Sequence, residues 1–233
     1  MLEDRVSVLR RFELLKDLSD VALDDLARSC AWHSAPAGKQ LIAVHERSRD
    51  VYFLASGKVR VLLYSAAEGR PVLFAVLGPY QMFGEVSAID GNPRSATVEV
   101  EQDCIMAILP QEQFQRLLSQ HFAFAFAVMK QLVAQVRRLS DRVYEFSTLG
   151  VQSRVYAELL RLAVLAEKKN GQPVLSPAPR GADLAARVST SREAVSRVIT
   201  RLAKKNVVKR EGADLRILDI GQLRQLVLEA KGE

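Results

Sequence analysis

Between Phe122 and Phe146 the apolar residues Phe122, Ala125, Met129, Leu132, Val136, Leu139, Val143 and Phe146 recur at steps of 3, 4, 3, 4, 3, 4 and 3. That spacing is a heptad seam on one long helix, predicted over residues 121–149, and a seam of this kind demands a facing helix. The facing surface can be the helix's own domain or a second copy of the chain. Its length and its polar other faces favour a parallel homodimer. Gly150 breaks the pattern and is expected to act as a domain hinge. The helix therefore divides the chain into residues 1–120, 121–149 and 150–233.

The segment before the helix reads as strands. Ser19 is placed to cap a helix at VALDDLARSC. From about residue 38 the pattern changes. VYFLASGKVRVLLYS is broken by Gly57, with Val59 and Val61 facing opposite to Arg60. AAEGR turns the chain, PVLFAVL forms another strand, and Gly78-Pro79 marks a further turn. SATVEVEQDCIMAIL supplies two more strands, and QEQFQRLLSQ a short helix after Pro110. Many short strands with regular turns indicate a small antiparallel roll, jelly-roll-like in kind. The fold class is α+β.

The segment after the helix is basic. Residues 1–150 carry 17 Lys+Arg and 18 Asp+Glu, a net of −1; residues 151–233 carry 16 and 9, a net of +7. A basic C-terminal module points to a polyanion, nucleic acid first. VQSRVYAELLRLAVLAEKKN reads as an amphipathic helix and GQPVLSPAPRG as a turn-rich link. ADLAARV-STS-REAVSRVITRLAKKN then reads as helix, turn, helix. Two short strands around Gly212 form a wing, and GQLRQLVLEA a last helix.

In the helix pair, Ala185 allows close approach, Val188, Val195 and Val198 fill the angle, and Ser191 caps the second helix. Arg192, Glu193 and Arg197 project along one edge. Arginine pairs bidentately with guanine O6/N7 and a carboxylate accepts from cytosine N4. Ser196 shares that face, and Thr200, Lys204 and Lys205 suit phosphates. An ordinary helical hairpin with an Arg-rich surface is the plainer alternative; the wing and the charge asymmetry argue against it.

One further stretch, FGEVSAIDGNPRSATV at 83–98, sets a carboxylate, a guanidinium and a hydroxyl on one short loop. Backbone amides near Gly84, the planar fork of Arg94 and the Ser95 hydroxyl suit phosphate oxygens. Glu85 repels phosphate but accepts from a ribose hydroxyl. Phosphate beside a ribose hydroxyl means a nucleotide. A Glu85–Arg94 ion pair that merely fixes the loop is the alternative.

These features together resemble the cyclic-AMP receptor protein family of bacterial transcription factors, the CRP/FNR group, over nearly the whole length. The stretch at 83–98 resembles that family's phosphate-binding cassette, and SREAVSR its recognition helix. The resemblance implies that Arg94 and Ser95 take a cyclic phosphate, that Glu85 takes the ribose 2′-OH, and that the backbone of Gly84, Glu85 and Val86 lines the site. It implies that Arg192, Glu193 and Arg197 read TGTGA-like half-sites on double-stranded DNA. Leu139 and Ser140 fall where a Thr-Ser pair contacts adenine in the cyclic-AMP receptors, Ser140 coming from the partner subunit. Leu139 removes one hydroxyl, a loss of about 0.5–1.5 kcal/mol, which leaves cyclic GMP beside cyclic AMP as allosteric ligand. Ser189 stands where many such motifs have glycine, a substitution that costs little unless the backbone needs positive φ. RNA polymerase is the implied protein partner.

Several classes are disfavoured. Cys30 and Cys104 are far apart, which opposes Cys₄ zinc and iron–sulfur sites, and His33, His45 and His121 are scattered. No haem ligand sits suitably near the cassette, so no prosthetic group or metal is expected. Walker and Rossmann loops and a nucleophile–base constellation are missing from the sequence, so no catalytic residue is expected. The start MLEDRVSVLRRFELL carries acids and no continuous apolar core, unlike a secretory signal, and the longest apolar run, Phe122 to Met129, is too short for a bilayer. The expected location is the cytoplasm, without a membrane partner. A constitutive DNA-binding regulator with a vestigial pocket or another effector, such as cyclic di-GMP, remains open, as does, more remotely, an enzyme acting on a nucleotide.

Overall fold

The computed structural model describes residues 2–64 and 71–232. The turn expected at AAEGR lies outside these residues. The chain forms two compact units, 1–135 and 136–233.

In the first unit, α1 (Leu2–Leu9), a short 3₁₀ turn (Glu13–Leu15) and α2 (Asp20–Ser29) precede the strands. Ser19 Oγ accepts from the Ala22 amide at 3.3 Å, the expected cap. The strands are β1 (Ala31–Ala35), β2 (Gln40–Ile42), β3 (Val51–Tyr64), β4 (Pro71–Leu77), β5 (Gln81–Phe83) and β6 (Thr97–Leu109), with α3 (Glu85–Asp90) between the last two. β1 starts earlier than the pattern suggested. All pairings are antiparallel, in the order β1-β6-β3-β4, with β2 also on β6 and β5 also on β3.

β3 and β6 are each one long strand, where the sequence suggested breaks. Gly57 bends β3 without ending it. Its φ is +86°, and an added Cβ would lie 2.7 Å from Cys104 Cα on β6, so the register shifts around it while pairing resumes on both sides. Period-two alternation sends the two faces of these strands into different cores. Val51, Phe53, Ala107 and Leu109 join Leu9, Phe12, Leu23, Phe114 and Phe124 in a core under the helices. Tyr52, Leu54, Val59, Val98, Val100 and Met106 fill the interior of the roll with Ile42 and Phe83.

α4 (Gln111–Gln120) and α5 (Phe122–Thr148) follow. On α5, Phe124 and Val128 are buried and Leu132 packs beside them. Phe122, Phe126, Met129, Val133, Val136, Val143 and Phe146 are exposed. The uncovered stripe thus runs through Phe126 and Val133, not Ala125 and Leu132, and passes Ser140, not Leu139. The expected seam mixed two apolar faces, one serving the helix's own core and one turned outward.

In the second unit, α6 (Val151–Leu165) begins at Gly150, whose φ of −64° and ψ of 161° are open to any residue. The break after α5 therefore does not use glycine's special freedom. α6 is shorter than expected. Residues Glu167–Lys169 form β7, which pairs with β8 (Gln172–Leu175) inside the segment read as a link. Asn170 and Gly171, at φ 53° and 77°, make the two-residue turn, an Asn-Gly hairpin signal the helical reading overlooked. β9 (Val208–Glu211) and β10 (Asp214–Ile217) complete a sheet in the order β7-β8-β10-β9, and α9 (Ile220–Lys231) closes the chain. Between them α7 (Gly181–Arg187) and α8 (Arg192–Lys204) form the helix-turn-helix. Ala185, Val188, Val195 and Val198 are buried in its angle, as expected. Ser189 in the turn has a φ of 48°, a left-handed conformation that side chains adopt at a cost.

Two backbone substitutions should move stability in opposite directions. Gly57→Ala should destabilise the first unit by at least about 2 kcal/mol. Ser189→Gly should stabilise the second by up to about 1 kcal/mol. Chemical denaturation of each full-length variant checks both signs.

Candidate functional site

The loop at 83–98 is built around Arg94, only 2% exposed. β5 pairs Phe83 with Tyr52, which delivers Gly84 to the start of α3. Gly84 has a φ of +85°, and a Cβ there would lie 2.9 Å from Arg94 Nη1 and 2.8 Å from the Asp50 carbonyl oxygen. Only glycine lets the backbone wrap the guanidinium this closely. Arg94 donates from Nη1 to the Gly84 carbonyl (3.0 Å), from Nη2 to the Asp50 carbonyl (2.8 Å) and from Nε to Ser48 Oγ (3.0 Å). Its backbone is pinned too, its amide on the Glu46 carbonyl and its carbonyl under the His45 amide. These bonds take three of the five guanidinium N–H groups and leave one on each terminal nitrogen.

Glu85 is buried, 6% exposed. Burial pushes its carboxyl above the usual range; its own backbone amide and, less, Arg94 oppose the shift. Burial likewise lowers the pKa of the Arg94 guanidinium from its ordinary value. Among the described residues Glu85 and Arg94 form no ion pair, so the loop is not fixed by the alternative contact. Ser95 is exposed beside them and Val86 half-buried. α3 is anchored from behind, where Gln111 and Gln115 of α4 both donate to the Ala88 carbonyl. Leu139 and Ser140 lie on α5 in the other compact unit.

Spacing in the sequence did not reveal Ser48, Asp50 or Glu46. They come from the β2–β3 loop, more than 40 residues before Arg94, and two of them act through main-chain carbonyls that any residue possesses. Glu46 is held below the usual carboxylate range by the Ala43 amide, then by Ser48, with Arg94 adding a smaller pull.

On α8 the residues Ser191, Arg192, Glu193, Ser196, Arg197, Thr200 and Lys204 are all exposed, as is Lys205, while Val195, Val198 and Leu202 point into the core. Ser191 Oγ accepts from the Ala194 amide at 3.2 Å, fixing the helix start. Glu193 is held below the usual range by its own backbone amide and Ser191, with Arg192 and Arg197 adding to this. The face is a row of cations with one carboxylate near its N-terminal end, a form suited to a groove edge.

Known proteins share both halves. The model of the cyclic nucleotide-binding domain matches residues 32–121, and that of the Crp-like helix-turn-helix domain matches 153–226. A cyclic AMP receptor protein from Thermus thermophilus is 31% identical over 174 residues, covering 75% of this chain and 77% of the relative. The chain belongs to the CRP/FNR family. It is a transcription regulator with a cyclic-nucleotide-binding domain and a DNA-binding helix-turn-helix. Among solved structures, a mutant of CooA from Carboxydothermus hydrogenoformans has the same fold, with a TM-score of 0.78 and 18% identity over 92% of this chain and 94% of that one. CLP from Xanthomonas campestris, described as a c-di-GMP responsive global regulator, has a TM-score of 0.73 and 18% identity over 86% of this chain and 100% of that one.

The raised pKa of Glu85 has a stability consequence. The folded state holds this proton to higher pH than the unfolded chain, so an ionised Glu85 costs stability above the unfolded carboxyl pKa. Glu85→Gln should therefore raise the stability of the ligand-free protein at neutral pH by on the order of 1 kcal/mol. The gain should shrink as pH falls into the ordinary carboxylate range. Thermal melts across that range check the sign.

Proposed function

We propose that this CRP/FNR protein is a homodimer whose affinity for DNA is set by a cyclic mononucleotide, cyclic AMP first and cyclic GMP second, bound in the β-roll. The observation that carries the reading is the presence of two buried groups, not joined to each other, on one loop. Arg94 keeps two N–H groups beyond those its own fold uses, and Glu85 keeps a desolvated carboxylate that no described side chain donates to. An anion beside a hydroxyl donor would satisfy both. Arg94 and Ser95 then hold the cyclic phosphate with the Gly84 and Val86 backbone, and Glu85 accepts from the ribose 2′-OH. Leu139 and Ser140 are assigned to the base by resemblance, Ser140 from the partner subunit.

The 1–120 roll is the sensor, the 121–149 helix joins two copies, and 150–233 holds the DNA. Two recognition helices enter successive major grooves about 34 Å apart, so the operator is an inverted repeat with TGTGA-like half-sites. Arg192 and Arg197 read guanines, Glu193 a cytosine, and Ser191, Ser196, Thr200 and Lys204 position the helix on the backbone and base edges. Glu85 and Arg94 suit holding a ligand rather than transforming it, so the protein is read as a non-enzyme. RNA polymerase as partner and a cytoplasmic location go with this reading by resemblance.

Leu139 favours a second reading. Without the hydroxyl at that position the base contact is weaker, and a regulator of the same fold gated by another effector, such as cyclic di-GMP, fits the same DNA-binding module.

Affinity for a palindromic TGTGA-type duplex, measured with and without cyclic AMP, cyclic GMP or cyclic di-GMP, tests the reading. The expected gain with a mononucleotide is about 5–150-fold; indifference to every nucleotide defeats the gating. Arg94→Leu should abolish nucleotide affinity and also lower the melting point, because Arg94 carries the loop. Ser95→Ala should weaken nucleotide binding by about tenfold with the melting point unchanged.

A further inference from the structure

The turn of the helix-turn-helix is held from outside the motif. A helix ends with carbonyls that lack intrahelical partners and must find donors. At the end of α7 the Arg187 carbonyl accepts from Arg142 Nη2 of α5 at 2.9 Å. The Val188 carbonyl accepts from Arg154 Nε of α6 at 3.1 Å, and the Ser189 carbonyl from Arg154 Nη2 at 3.4 Å. Arg154 Nη1 also donates to the Leu149 carbonyl, at 3.1 Å, where α5 gives way to α6. The turn's own backbone supplies only the Val188 and Thr190 amides, bonded to Leu184 and Ala185.

The Arg142 guanidinium is steered by a buried carboxylate. Glu158 of α6 is 1% exposed, and its Oε1 accepts from Arg187 Nη1 at 3.0 Å. Its Oε2 accepts from Arg161 and lies 4.0 Å from Arg142 Nη2. Arg161 also bridges to Glu145 of α5, at 2.9 and 3.0 Å. Three arginines therefore face two carboxylates where α5, α6 and α7 meet. A half-buried cluster around the buried Glu158, with excess positive charge, gives the Arg142 and Arg187 guanidinium groups few alternative places, so a shift of α5 is followed by its partners.

We propose that Arg142 is a positioning residue that carries the movement of α5 into the helix-turn-helix by holding the last carbonyl of α7. The inference rests on the gating proposed above for its functional consequence. Arg161 shares the cluster but touches no carbonyl of the motif, which makes it the matched control. Arg142 sits two residues from Ser140 on the same helix, so a ligand that turns α5 moves this guanidinium directly.

The test compares full-length wild type with Arg142→Met and Arg161→Met. Each is measured for affinity to the palindromic duplex with and without cyclic AMP, and for cyclic AMP affinity with and without DNA. In Arg142→Met the two DNA affinities should converge to within about twofold while cyclic AMP affinity of the free dimer holds; by linkage, DNA should also cease to change cyclic AMP affinity. Arg161→Met should lower the melting point yet keep the wild-type ratio. An unchanged ratio in Arg142→Met, or an equal loss in both variants, overturns the proposal. Hydrogen exchange without nucleotide gives an independent readout: the Val188 and Thr190 amides should exchange about tenfold faster in Arg142→Met and at the wild-type rate in Arg161→Met. Should wild type prove indifferent to all nucleotides, the gating reading fails on its own, and the exchange rates still decide whether Arg142 holds the turn.

Discussion

The pairing of β3 with β6 carries the N-terminal unit. Two long antiparallel strands register from Val51 opposite Leu109 to Leu62 opposite Thr97. Each turns one face to the helices and the other to the interior of the roll. The cassette hangs from this pair: β5 joins β3 beside Tyr52 and hands the chain to Gly84, while the β2–β3 loop supplies Ser48 and Asp50. The guanidinium of Arg94 is thus clasped by segments that only this register brings together. A slip by one residue would exchange the two faces and scatter the loop.

Both units bury charge, in different ways. In the roll a carboxylate and a guanidinium lie close but unpaired, and the loop is built from main-chain carbonyls around the cation. In the C-terminal unit the charges are paired, and Glu158 is surrounded by three arginines. The first arrangement leaves bonding capacity for something from outside the chain. The second leaves little and joins three helices into one body. The two arrangements differ physically in this respect: one keeps unmet demands, the other has met them internally.

Much of this was legible in the sequence. Ser19 and Ser191 cap the helices they were expected to cap, the helix-turn-helix closes over Ala185 and its three valines, and an antiparallel roll, a long helix and a helix-turn-helix follow one another in the expected order. The motif at 83–98 was visible because its chemistry is concentrated in a few residues. What escaped depends on distance or on ambiguity of period. Gly57 looked like a strand end because its role, close approach to Cys104, is a tertiary fact. Glu167–Lys169 looked helical because three charged residues carry no alternation, although Asn170-Gly171 beside them signalled a hairpin. The α5 seam was misphased because Ala125 and Phe126, and Leu132 and Val133, offer two apolar choices at each step, and only the packing of Phe124 and Val128 decides between them.

The outward stripe of α5 has a bearing on the life of the chain in a cell. Phe122, Phe126, Met129, Val133, Val136 and Val143 present a ribbon of apolar surface that water cannot satisfy. In the homodimer proposed above, a newly made copy meets few others, and its folded form is then at its weakest. As copies accumulate, mass action would lend stability that no single chain possesses. Abundance and durability would then rise together, and a scarce regulator of this build would be cleared faster than a plentiful one.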